Sequence, residues 1–150
     1  MTIDQLYDKV IMDHINNARN YRAMPDADRK AEAVSTLCGD SVTVYVKLDG
    51  DCIHDVAFQC ASCAISMASA SIMTETIKGK RQADAAALMQ AVTDRIMQKP
   101  AGVHTTFSAD QSAIFAALRA FPTRKTCATV AWHALAAALE GDRNTVAVEQ

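Results

Sequence analysis

No run of apolar residues in this 150-residue chain approaches the roughly 20 needed to cross a bilayer, so no membrane span is expected. The acidic N-terminal stretch lacks the charged region and apolar core of a secretory signal. Basic excess is missing as well: 15 Lys and Arg stand against 17 Asp and Glu, for a formal net charge of −2 and a pI of about 6.0. That balance offers no electrostatic footprint for nucleic acid or an anionic membrane surface. Internal repeats are also lacking. These absences point to the cytoplasm, a reducing setting in which five cysteines mean metal or thiol chemistry rather than a disulfide framework.

What is present suits one globular domain over residues 1–150. Half of the residues are hydrophobic, enough to bury a core without disulfides. Residues 2–16 read as an amphipathic helix, with Ile3, Leu6, Tyr7, Val10, Ile11 and His14 on one face and Thr2 or Asp4 as N-cap. A polar connection, mobile by composition, follows over residues 17–30. Residues 31–37 and 41–48 read as strands, the second alternating through Val42, Val44, Val46 and Leu48. Asp49-Gly50-Asp51 signals a hairpin into a third strand over residues 52–59. Helical periodicity then dominates, over residues 63–78, 84–97, 109–120 behind a Ser108 cap, and 127–140 before Gly141, with a tail at 142–150 expected to fray. Strands first and helices afterwards predict an α+β fold, a small antiparallel three-stranded sheet packed against about five helices.

The chain is organised around residues 60–78, where a strand ending in Val56 and Phe58 gives way to a helix at Cys63. Unpaired amides and the dipole of a helix N-terminus favour a thiolate there, although a buried structural thiol is the alternative. Cys127 opens another predicted helix, just after Arg124 and Lys125, whose charges also favour a thiolate. Cys38 falls in a strand-to-strand turn, with Asp40 two residues on, where an extended chain returns its side chain to the same side. Three thiolates and a carboxylate suit tetrahedral Zn²⁺. The spacings of 25 and 64 residues are not those of a compact finger, so three unrelated buried thiols remain the competing interpretation.

Several separated motifs carry a resemblance. Leu6-Tyr7 through Asp13-His14, Asn17-Ala18-Arg19-Asn20, Cys38-Gly39-Asp40, Cys63-Ala64-Ile65-Ser66 with Ala68-Ser69-Ala70-Ser71, and Arg124-Lys125-Thr126-Cys127-Ala128-Thr129 with Trp132 resemble the IscU/NifU iron–sulfur assembly family. The likeness is greatest to its SufU branch. Thr126 stands where IscU-type scaffolds carry a His, and Phe121-Pro122-Thr123-Arg124-Lys125 replaces their chaperone-read Leu-Pro-Pro-Val-Lys, so recognition by such a chaperone is not expected. An added helical segment around residues 106–120 is also SufU-like.

The resemblance implies a zinc site of Cys38, Asp40, Cys63 and Cys127, and a sulfur relay from a SufS-type cysteine desulfurase to downstream Fe–S assembly proteins. An imidazole of the desulfurase is implied to displace Cys38, the sulfur acceptor, from the metal. Two alternatives use the same ligands: a scaffold for a transient [2Fe–2S] cluster holding iron, and a module with purely structural zinc. Cys52 and Cys60 lie outside the family pattern. On one strand they are roughly 26 Å apart and cannot pair. Cys60 and Cys63 form C-x-x-C without the βαβ context of a redox motif, leaving Cys60 as a further ligand, a resolving thiol or a passive residue. His14 is expected to hydrogen-bond in the core, His133 to point away from the site, and His54 and His104 to lie on the surface.

Overall fold

The computed structural model describes residues 2–35, 39–97, 107–141 and 145–147. Cys38 and His104 lie outside the described residues. Helix α1 (Ile3–Asn16) starts at a capping box in which the Gln5 amide donates to Thr2 Oγ1 at 3.2 Å and the Thr2 amide to Gln5 Oε1 at 2.9 Å. Strands β1 (Arg29–Ser35), β2 (Asp40–Asp49) and β3 (Cys52–Ala61) form an antiparallel meander. Asp49 pairs with Cys52 across the two-residue Gly50-Asp51 loop, where Gly50 takes φ 59°. Four helices follow: α2 (Ala64–Ile77), α3 (Gln82–Ile96), α4 (Ala109–Ala120) and α5 (Lys125–Glu140). Ser108 and Gln111 build a second capping box on α4, and Gly141, at φ 82°, ends α5 in the left-handed conformation.

The expected three-stranded antiparallel sheet and five helices are thus present, with one addition. Within the tail expected to fray, Thr145–Ala147 (β4) pairs in parallel with β1, giving the order β3-β2-β1-β4. Asn20, Tyr21 and Arg22 of the 17–30 connection lie along the open edge of β3 at Phe58. The Phe58 amide donates to Asn20 O and the Arg22 amide to Phe58 O, both at 3.0 Å, and the Tyr21 ring meets Phe58 edge-on at 5.2 Å. A strand edge that could recruit another chain is therefore covered.

Alternation sends Val42, Val44 and Val46, with Ala31, Ala33, Val56 and Phe58, to one sheet face, where all are buried. Helix α5 packs there over β1 and β2, and its alanines at 128, 131, 134 and 138 permit close approach. Helix α2 is enclosed by α5, α1, α4 and β3. Its burial is nearly continuous from Ala68 to Thr74, so its serines and threonines must find partners inside the protein. Ser71 Oγ accepts the Arg19 amide at 2.9 Å and meets His14 Nδ1 at 2.7 Å, while His14 Nε2 reaches Asp110 Oδ2 at 3.0 Å. Because a carboxylate only accepts, Nε2 carries the proton in neutral His14 and Ser71 donates to Nδ1. This Ser–His–Asp chain ties α1, α2 and α4 together, and Ser71 is too buried to attack a substrate.

Asp55 on β3 is held by Arg22 Nη2 at 2.6 Å and Lys78 Nζ at 3.2 Å. Burial pushes its carboxyl up, but the hydrogen bonds from Arg22, the Val56 amide and Lys78 outweigh that and leave it below the usual 3.8. A lowered folded-state pKa contributes stability above the unfolded value and loses it as pH falls through the folded one. Asp55→Asn is therefore expected to be less stable than wild type by up to about 1 kcal/mol near neutral pH, with the difference disappearing as pH falls below the folded-state pKa of Asp55. Urea midpoints across that range check this; a pH-independent difference refutes it.

Candidate metal centre

Asp40 begins β2 on the same face as Val42 and is 5 % exposed, an unusual place for a carboxylate unless it is bonded. Its Oδ1 accepts the backbone amide of Cys63 at 3.1 Å, and the Cys63 thiol approaches Oδ2 at 3.6 Å. Cys63 is the N-cap of α2, one position before the first turn in which the sequence placed it. Its backbone is extended, at φ −70° and ψ 166°, and its side chain makes no capping hydrogen bond. The half-buried sulfur is thus left for other chemistry beside the positive end of the helix. Cys127 is fully buried in the first turn of α5, after the Pro122–Arg124 3₁₀ turn.

A carboxylate oxygen of Asp40 and the sulfurs of Cys63 and Cys127 all lie within 4.8 Å of one another. Three of the four sequence-predicted ligands therefore converge, and the fourth, Cys38, is outside the described residues. One hard oxygen and two thiols in a buried niche fit Zn²⁺, and two residues upstream of Asp40 the chain supplies a third thiol.

Convergence depends on how α2 meets α5. Ser69 Oγ donates to the Ala128 carbonyl at 2.7 Å, and Trp132 Nε1 donates to the same Oγ at 2.9 Å. These two buried bonds register the helices one to two turns from their starts, bringing Cys63 to Cys127. From sequence alone the α2 serines read as small residues that let neighbours approach closely. The available signal was a lone Trp, whose N–H needs an acceptor, beside a Ser-rich buried helix.

Cys60 pairs with Val42 and is half-buried on the core side of β3, outside the ligand group. Burial pushes its thiol up, a hydrogen bond with Ser62 pulls partly the other way, and the charges of Asp40 and Cys63 push it up further. It is a neutral thiol at physiological pH, a poor nucleophile as it stands. Cys60 and Cys63 are both free thiols. Cys52 is exposed at the opposite end of β3. His54 and His133 are exposed and His14 is a bonded core residue, as expected. A second group of ligand types, His14, Glu75 and Asp110, is already occupied: Arg19 Nε holds Glu75 at 3.0 Å.

The profile of the NifU-like N terminal domain family matches residues 6–139. The chain belongs to that family. NifU-like relatives match over nearly their whole length: the zinc-dependent sulfurtransferase SufU of Bacillus subtilis (strain 168) is 40% identical over 135 residues, covering 89% of this chain and 88% of that protein. The iron–sulfur cluster assembly scaffold protein IscU of Streptococcus pyogenes is 30% identical over 142 residues, 95% and 87%. Among solved structures, the SufU scaffold protein from Fervidobacterium islandicum AW-1 superposes with a TM-score of 0.75 at 31% identity, covering 90% of this chain and 97% of that one. The NifU-like N-terminal protein of Brucella abortus gives 0.77 at 25%, with 93% and 95% covered. The Streptococcus relative and the Fervidobacterium structure are both named for iron–sulfur cluster assembly. Among the described residues, no helix is long and apolar enough to cross a membrane.

Proposed function

We propose that this NifU-like protein is a zinc-bound sulfur carrier that accepts persulfide sulfur from a SufS-type cysteine desulfurase and passes it to downstream iron–sulfur assembly proteins. The grouping of Asp40, Cys63 and Cys127 carries this reading, with Cys38 completing the ligand set. Similarity to the zinc-dependent sulfurtransferase supports it. Bound zinc supplies a Lewis acid that keeps thiols deprotonated and protected from oxidation.

Cys38 is the acceptor. With zinc bound, Asp40, Cys63 and Cys127 would hold the metal while the desulfurase docks, leaving the Cys38 thiolate free to react. The Cys38 thiolate attacks the outer sulfur of the desulfurase persulfide, forming a new S–S bond. The old S–S bond breaks, and the desulfurase cysteine leaves as a thiolate with no net oxidation. The half-buried position of Cys63 and the burial of Cys127 suit retained ligands rather than an external nucleophile.

Metal and acid-labile sulfide in protein purified without oxygen separate the readings. One zinc per chain and no sulfide is expected; iron and sulfide in equal amounts mean a cluster scaffold on the same ligands, the role named for the IscU relative. Cys38→Ser is expected to reduce sulfur acceptance from the desulfurase to background while the chain stays folded. Acceptance at the wild-type level by Cys38→Ser refutes the relay. Zinc with an unreactive Cys38 in the presence of desulfurase indicates a structural site.

A further inference from the structure

Ser66 stands apart from the other buried hydroxyls of α2. Ser69, Ser71 and Thr74 all have partners, but the Ser66 hydroxyl, in a residue with no exposed surface, has no hydrogen-bond partner among the described residues. An unpaired buried hydroxyl is costly, so its presence calls for a group that pairs with it in some state of the protein.

Its position indicates which group. Ser66 lies three residues from Cys63 on one side and from Ser69 on the other, so it neighbours both along the surface of α2. Ser69 bonds the Ala128 carbonyl in the first turns of α5, which sets Ser66 about one turn nearer the Cys63 end of α2, the end where Cys127 lies. Helical side chains lean toward the N-terminus, which carries the Ser66 hydroxyl toward the sulfurs rather than away from them. The α2 amides of the first turn point the same way, and the Cys63 side chain leaves them uncapped.

We propose that Ser66 is a positioning residue of the metal centre, its hydroxyl donating a hydrogen bond to a metal-bound cysteine thiolate that is in place only when the centre is loaded. The proposal rests on the zinc-binding part of the function above. In the empty protein the hydroxyl is a burden, and in the loaded one it stabilises the anionic sulfur and fixes its direction.

The two states make Ser66→Ala informative, because removing the hydroxyl acts with opposite sign on each. The metal-free variant is expected to melt at or above the wild-type temperature. Its zinc dissociation constant, measured by competition with a chromophoric chelator, is expected to rise about 10- to 100-fold. With Co²⁺ in place of zinc, the thiolate-to-metal charge-transfer band is expected at longer wavelength, since the sulfur lone pairs lose a hydrogen bond. Wild-type zinc affinity and an unshifted Co²⁺ band in Ser66→Ala overturn the proposal and leave the metal site standing. A lowered melting temperature of the metal-free variant assigns the hydroxyl to the fold and also overturns it. Failure of wild-type protein to bind zinc removes both the metal site and this role.

Discussion

Cys127→Ser is expected to hold zinc at least about a hundred-fold more weakly than the wild-type chain. Structural zinc sites bind with roughly 10–16 kcal/mol, or about 3 kcal/mol per ligand, and 1.4 kcal/mol is tenfold in affinity. A serine hydroxyl does not deprotonate near neutral pH and replaces a soft thiolate poorly. Cys127 has no exposed surface, and serine is no larger, so the variant is expected to fold and the loss reports on the centre. Cys63→Ser is expected to act in the same direction. Cys52→Ser, at the far end of β3, is expected to bind zinc as wild type does. Chelator competition on the three variants is the check, and full zinc occupancy in Cys127→Ser under competition refutes the site.

Trp132→Ala is expected to destabilise the fold by about 3–5 kcal/mol, lowering the melting temperature by about 10 °C or more. Trp132 is the largest fully buried side chain. Truncation leaves a cavity between α5 and α2 and also removes the N–H that Ser69 accepts at 2.9 Å. Because the Trp132–Ser69–Ala128 bonds set the register of the two helix starts, zinc affinity is expected to fall too, although Trp132 is not a ligand. Trp132→Phe keeps most of the volume and loses only the hydrogen bond, so it is expected to cost about 1–3 kcal/mol. Thermal melts of the metal-free variants measure the first effect. A melting temperature for Trp132→Ala within a few degrees of wild type refutes it.

Much of the fold was legible because its signals are local. The valine alternation of β2, the Gly50 turn, the Ser108 cap and the Gly141 stop each depend on residues a few positions apart. Cys63 was displaced by one position, from first turn to N-cap, because cap geometry is settled by backbone dihedrals that side-chain periodicity does not report. Two features were not legible. Thr145–Ala147 is too short to show a strand period, and it pairs with β1, more than a hundred residues earlier. The bonds of Asn20 and Arg22 to Phe58 are likewise long-range, made by backbone groups that every residue carries.

The candidate site divides along the same line. Residue types and helix starts in the sequence determined that Cys63 and Cys127 would sit at helix N-termini and that Asp40 would fall in the turn before the second strand, one residue short of its place at the start of β2, since capping, turn chemistry and alternation act over a few residues. Tertiary structure alone decided that these three meet within 4.8 Å, that Cys60 stays outside their group, and that Ser66 is buried without a partner among the described residues. That meeting depends on α2 lying against α5 through Ser69 and Trp132, 63 residues apart in the chain, and packing at such separation has no local signal to read.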